Sequence, residues 1–502
     1  MLNINKKIII LFTTILIFPI FLIPNNTWDS VIFDYAFTIN DISGIEGWYK
    51  ESRLDFQLQI IKIFFFINQK FNISHELIFD IFSSLALILY IYEIKRFQNI
   101  LLGIENRWQT VCILIALTSP IWSVISSIVL GLYVFCFYLA LLGYRFLINK
   151  KYLFKILGII FIFFSLSIKS NLFLISGLAL VHNTNLFFSD KSIQKKNIYI
   201  LMLIFFIFIF IYKIFLKPYG VYSDYNQINF DNLQFSTIYN NFINFFSFFS
   251  SYFWIIGLLI IYLTINKKNN FKKIIFQKEN INLLTISLFF LILITPYILV
   301  DKSGHIDMPE FKNRHALGVP IFFSLFFTLI LKNAYKIFPQ KNVATYLFIL
   351  IIFQNLFYLT KGYVYKYEKS LINTEIIKSL KKIKEPKGGY IHFINDDYFF
   401  SSLVSSHIMF KAYNKAKWYG QGNKHFSINK NKAKNHLLMY MLKSENNALK
   451  KKYIITGLKE MCVVQIQFIT KINKNEKLER IKKILSLSKR KYMLINSIKE
   501  TC

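Results

Sequence analysis

Long apolar runs recur along this chain, and nearly every one is closed by a cluster of Lys or Arg. That alternation constrains the fold more than any single motif. A span of the hydrocarbon core needs roughly 20 mainly apolar residues. Cytoplasmic loops collect the positive charges. The first run, Ile8–Ile23, follows Lys6 and Lys7 and no small-x-small cleavage site follows it, so it reads as a retained span with its N-terminus inside. Leu77–Tyr92 then returns to Lys95, Arg96 and Arg107. Val111–Leu142 is too long for one crossing and is broken at Pro120, Ser123, Ser126 and Ser127. Leu153–Val181 is likewise broken, at SLSIKSN, with Lys169 in the turn. Ile198–Leu216, Ile243–Leu263, Leu283–Val300, Ala316–Leu331 and Ala344–Leu359 complete about eleven spans.

The inner loops are Lys-rich and the outer loops hold most of the acids, which puts the C-terminal tail outside. Leu58–Ile67 is too short to span, is interrupted by Lys62, and reads as an interfacial helix. The tail carries strand-like runs at Gly389–Ile394, Tyr453–Thr456, Val463–Ile469 and Tyr492–Ile495, with helical stretches between them. The predicted architecture is therefore an all-α polytopic transmembrane bundle followed by a small C-terminal α/β extracytoplasmic domain. Its membrane domain covers residues 1–360, with outer loops 25–76, 217–242 and 301–315, and the α/β domain covers 361–502.

Composition narrows the partners. The chain is 54% hydrophobic, as expected for a polytopic membrane protein. Its net charge of +33 sits in short clusters between apolar runs, and so sets topology rather than forming a nucleic-acid surface. The abundance of Phe, Ile, Asn and Lys also suggests an AT-rich codon bias, which inflates Lys. The sequence has no P-loop, HExxH, GxSxG or metal-spaced Cys/His cluster. Cys112 and Cys136 lie in apolar runs, while Cys462 and Cys502 lie in the polar tail, where a disulfide depends on geometry.

The exception to the basic pattern is Asn25–Phe56, with Asp29, Asp34, Asp41, Glu46, Glu51 and Asp55 against only Lys50 and Arg53. It also holds Trp28, Phe33, Tyr35, Phe37, Trp48 and Tyr49. WDSVIFDYAF resembles the acidic motif in the first extracytoplasmic loop of GT-C membrane glycosyltransferases. GIEGWYKESRLDFQ resembles the continuation of that loop in bacterial surface-polysaccharide members. PYILVDKSGHIDMPEFKNRHALG resembles a later outer loop with an Arg-His pair at the start of the next span.

The resemblance implies an inverting hexosyl- or pentosyl-type transferase of the bacterial inner membrane. It implies a polyprenyl-phosphate sugar donor and a cell-envelope glycan or lipid acceptor. A sugar hydroxyl needs a positioned base, and the loop acids supply it: Asp29 first, Asp34 second. The competing reading is that one of them caps a juxtamembrane helix or accepts a hydrogen bond from Arg53. The leaving polyprenyl phosphate needs cations, for which the candidates are Arg314, then His315, Lys302 and Lys169. Arg314 reads equally as an interfacial anchor. Trp28, Tyr35, Glu46, Trp48 and Arg53 are the sugar- or acceptor-contact candidates, with Tyr49 as a further ring that could stack on a sugar face, although interfacial belts also collect aromatics. KWYGQGNKHF (Lys417–Phe426) is a further acceptor-contact candidate. The carboxylates would accommodate a divalent cation, a requirement on which members of that superfamily differ. Rival readings are a lipid-linked-saccharide flippase, a polysaccharide polymerase or ligase, and a membrane anchor for the tail.

Overall fold

A computed structural model describes residues 6–23, 30–102, 106–125, 127–189, 217–219, 234–255, 257, 278–306, 311–337, 342–383, 389–394, 402–413, 418–421, 462–470 and 493–501. Contacts divide the chain into two units. One comprises Met1–Ile20, Asp80–Ser126 and Leu130–Tyr363; the other comprises Phe21–Phe79, Ser127–Val129 and Val364–Cys502. The first outer loop, assigned above to the membrane domain, thus clusters with the tail.

The described helices are α1 Lys6–Leu22, α2 Ser30–Thr38, α3 Ser43–Glu51, α4 Asp55–Phe71, α5 His75–Leu102, α6 Asn106–Leu117 and α7 Ile128–Leu147. They continue with α8 Tyr152–Ser165, α9 Asn171–Ser189, α10 Phe235–Ser250, α11 Lys278–Leu299, α12 Val319–Ile337, α13 Val343–Leu380 and α14 Ser402–Tyr413. Five are long and apolar enough to cross a membrane: His75–Gln98, Ile128–Leu147, Asn282–Leu299, Val319–Lys336 and Val343–Leu380. Lys7–Leu22, Trp108–Val124 and Tyr152–Ser165 are shorter apolar helices. The expected span Ile198–Leu216 lies outside the described residues.

Both expected breaks are present in the first unit. At the first, α6 ends at Leu117 and a 3₁₀ turn covers Pro120–Val124 before α7 begins. A break between two apolar helices needs substitute partners for its freed backbone groups. Trp122 Nε1 donates to Ala116 O at 2.6 Å, and Asn355 Nδ2 donates to Ile115 O at 3.3 Å and Thr118 Oγ1 at 2.9 Å. Tyr363 Oη reaches Trp122 O in that turn at 3.4 Å and Leu16 O of α1 at 2.9 Å. At the second break, Asn171 Nδ2 donates to Ser165 O at 2.9 Å and to Cys136 O at 3.2 Å. Between α7 and α8 the backbones themselves touch: a Cβ on Gly158 would stand 2.8 Å from Gly143 O. Small residues permit that approach.

Two expected boundaries move. The expected outer loop 217–242 is shorter than its composition suggests: α10 starts at Phe235 and buries Asn241, Phe245 and Phe248 at helical spacing. The last span was closed at Leu359, yet α13 runs unbroken for 38 residues to Leu380. Its polar second half still places Ile372, Ile376 and Leu380 on one buried stripe. A fall in hydropathy ends a membrane span without ending a helix.

In the second unit, Phe33 is fully buried, edge-on to Phe79, Tyr49 and Trp48 with ring centroids 5.5, 6.2 and 6.5 Å away. Full burial of such a side chain stabilises by about 1.5–3 kcal/mol. The loop therefore has an aromatic core of its own. The expected interfacial helix is α4, with Leu58, Ile61 and Phe64 buried and Ile63, Phe66 and Phe71 exposed. The tail contributes strands β1 Gly389–Ile394, β2 Trp418–Gln421, β3 Cys462–Thr470 and β4 Met493–Thr501, in the order β2-β1-β3-β4. β1 is parallel to β2 and β3, and β3 is antiparallel to β4. Parallel neighbours β1 and β2 need a crossover, and α14 occupies it. The run Tyr453–Thr456 and Cys502 lie outside the described residues, as does Lys417–Phe426 apart from the part that forms β2.

Candidate functional site

α2 reads SVIFDYAFT, and its buried residues include Val31, Phe33, Asp34, Ala36 and Phe37. A carboxylate on such an apolar stripe would cost several kcal/mol as an isolated ion. It therefore demands partners. They come from elsewhere in the second unit. His407 Nε2 lies 2.6 Å from Asp34 Oδ2, and the Lys411 ammonium lies 2.7 Å from each carboxylate oxygen. His407 and Lys411 are four residues apart on α14, hence on one helix face. α14 also places Phe410 edge-on to Tyr35, with centroids 4.8 Å apart.

His75, the first residue of α5, brings Nε2 to 3.2 Å from Asp34 Oδ1 and packs its ring 5.3 Å from Phe37. That nitrogen makes no hydrogen bond of acceptable angle, so the contact is one of proximity. Burial pushes the Asp34 carboxyl up. The hydrogen bond from His407, the closeness of His75 and the charges of His407 and Lys411 outweigh it, and hold the group well below the usual carboxylate range. Asp34 is ionised, buried and contacted by residues from two other helices, α5 and α14.

Asp34, His75 and Glu76 could each offer one ligand atom to a metal, all within 4.8 Å of one another. The set fits a resident divalent cation poorly. Lys411 already places a positive charge on both Asp34 oxygens, and Glu76 is exposed. An ion would have to displace an ammonium from a buried carboxylate.

The other candidates fall as follows. Asp29 and Trp28 lie outside the described residues. Glu46 pairs with Lys62 at 3.1 Å and Lys50 at 3.5 Å, which joins α3 to α4. Tyr49 is fully buried against Phe33 and Trp48, so it is core rather than a sugar platform, while Trp48 and Tyr35 are half-buried. Arg53 closes α3 in the left-handed region, with φ of 57°.

In the first unit, the loop after α11 carries the phosphate-binding candidates. Asn241 Nδ2 donates to Asp301 Oδ1 at 2.9 Å and Asn244 Nδ2 to Ser303 Oγ at 3.0 Å, so α10 braces the loop. Asn313 clasps His305 through both its backbone N–H and C=O, at 2.8 and 3.0 Å. The short helical turn Phe311–Ala316 then presents Arg314 and His315. His315 packs 5.0 Å from the Tyr297 ring, whose hydroxyl meets Ser170 Oγ at 2.6 Å, beside Lys169. Burial, together with the positive charges of Arg314 and Lys302, holds His315 well below the ordinary imidazole value. Burial brings Lys169 down to about 8. Arg314, His315 and Lys302 are thus brought together, with Lys169 linked through Ser170 and Tyr297.

His407 and Lys411 were not singled out by the sequence reading. The available signal was a His and a Lys four apart on an apolar tail helix, but it names no partner. No protein-family model, curated protein or solved structure matches this chain.

Proposed function

We propose that this chain is a membrane glycosyltransferase of GT-C type. It moves a sugar from a polyprenyl-phosphate donor to a cell-envelope polysaccharide or lipid on the outer face of a bacterial inner membrane. In this reading about eleven helices span the bilayer. The N-terminus is cytoplasmic, and the tail is an extracytoplasmic α/β domain. The observation that carries the proposal is Asp34, a buried ionised carboxylate held by His407 and Lys411 in the acidic first loop. Its partners make Asp34 a weak base as it stands, so in this reading a bound sugar hydroxyl displaces one of them before the carboxylate takes its proton.

Lys302 and Arg314 support the other half of the reaction, with His315 beside them as an uncharged hydrogen-bonding group. A departing polyprenyl phosphate needs positive charge rather than a proton, and Arg offers a two-pronged match to phosphate oxygens.

The test uses purified protein in detergent with radiolabelled polyprenyl-phosphate sugars, comparing native protein with Asp34→Asn, Asp29→Asn and Arg314→Ala. The expected outcome is transfer by the native protein that is lost in Asp34→Asn and Arg314→Ala. Native protein that transfers no sugar, but binds a lipid-linked oligosaccharide, would move the assignment to a flippase.

A further inference from the structure

Asp301 stands where both its backbone and its position disfavour it. α11 closes in a Schellman pattern, with Lys302 N–H donating to Tyr297 O at 2.9 Å and Asp301 N–H to Ile298 O at 3.2 Å. The pattern puts Asp301 in the left-handed region, with φ of 54°, where glycine is the usual occupant. Its carboxylate also lies at the negative end of the α11 dipole, where anions are repelled. The fold nevertheless fixes this acid. Buried Asn241 donates from Nδ2 to Asp301 Oδ1 at 2.9 Å. On the next two turns of α10, Asn244 Nδ2 donates to Ser303 Oγ at 3.0 Å and Ser247 Oγ accepts from Ile306 N–H at 3.1 Å. With Asn313 clasping His305, the loop is held along its length while Asp301 stays exposed. A strained residue that its surroundings keep in place points to function rather than stability.

Lys302 follows Asp301 in the chain, and Lys302 and Arg314 are the cations whose charges act on His315. A carboxylate next to them repels a phosphate, so Asp301 serves another part of the ligand. In a sugar phosphate the hydroxyls lie within a few ångströms of the phosphate, and a carboxylate is a strong acceptor for them. We propose that Asp301 accepts hydrogen bonds from hydroxyls of the donor sugar, and so selects which polyprenyl-phosphate sugar is used; the inference rests on the glycosyl-transfer reading above, with the phosphate on Lys302 and Arg314. Asn241 is a positioning residue: it holds one carboxylate oxygen and leaves the group turned outward to the ligand. No bond is made or broken at Asp301. Its contribution is to recognition.

The alternative is that Asp301 only closes α11 or offsets the neighbouring cations. Two variants separate these. Asp301→Asn keeps the size and the tolerance of left-handed backbone but removes the charge, and Asp301→Gly restores the residue that this backbone prefers. Each is compared with native protein in detergent, with radiolabelled polyprenyl-phosphate sugars as donors and bare polyprenyl phosphate as competitor. The expected result is a fall in kcat/KM for the best donor of at least about 10-fold in both variants. Inhibition by bare polyprenyl phosphate should be unchanged or tighter, and the unfolding midpoint of Asp301→Gly should be at or above the native one. Asn241→Ala should lose part of the same preference for the sugar-bearing lipid over the bare one. Donor and bare polyprenyl phosphate weakened alike, with a lowered midpoint in Asp301→Gly, overturns the inference. So does undiminished kcat/KM in both Asp301 variants; either result leaves the transferase reading standing. No transfer by the native protein with any donor overturns both.

Discussion

Asp34 and Glu93 are both buried carboxylates, 2% and 1% exposed in their side chains, and their partners make them different objects. Glu93, in the first unit, is gripped by the Arg145 guanidinium through both oxygens, with Arg96 3.7 Å away. Arg keeps its charge under all ordinary conditions and matches a carboxylate in two-pronged geometry, so this pair is closed. Asp34 has imidazoles and an ammonium instead, and one of those imidazoles keeps an open nitrogen. The first arrangement can only hold structure. The second keeps ionisable partners on both sides of the carboxylate.

Asp34→Asn should break the comparison hardest. Transfer should disappear, because an amide neither balances the Lys411 charge nor takes up a proton. Removing one partner of a buried pair costs about 3–5 kcal/mol. The loss here should sit at the lower end, since Lys411 is 36% exposed and solvent screens it. Thermal unfolding in detergent, run beside the transfer assay, checks both effects. Glu93→Gln should cost about 3 kcal/mol and leave turnover per folded molecule unchanged, with Arg145 as the stranded charge. Equal loss of turnover in both variants would erase the distinction.

A pH series sharpens it further. The folded-state value of Asp34 is depressed, so its stabilising contribution is present above the unfolded carboxylate value of about 3.9. It is lost as the pH falls below that value toward the folded one. Unfolding midpoints of native protein should therefore drop below about pH 4, and Asp34→Asn should lack that part of the slope. The smallest effect belongs to Lys411→Met, which keeps the apolar stem and removes the charge. Stability should fall by about 1 kcal/mol or less for this partly exposed group, with transfer reduced but not abolished. Complete loss of transfer there would make Lys411 more than a support for Asp34.

Periodicity and charge carried the reading of the helical part a long way. The breaks near Pro120 and Lys169 were legible because Pro lacks a donor and because a polar cluster within an apolar run is unfavourable in lipid. Gly389–Ile394 was legible as a strand from its composition, and β1 has those bounds. The polar half of α13 was not legible as a continuing helix, since its buried stripe is diluted by the Lys and Tyr residues around it. Tyr49 looked like a surface aromatic because only packing against Phe33 and Trp48 distinguishes a core ring from a belt ring.

By itself the sequence determined where helices are apolar enough for a bilayer, where they break, and that the first loop gathers acids and aromatic rings. These are local properties, set by runs of side chains within a few turns of one another. Only the tertiary structure decided which acid in that loop matters. Asp34 meets His407 across 373 residues of chain, and no local pattern records such a pairing. A carboxylate's chemistry depends on what lies within a few ångströms of it. For Asp34 that neighbourhood is built by folding α14 onto α2.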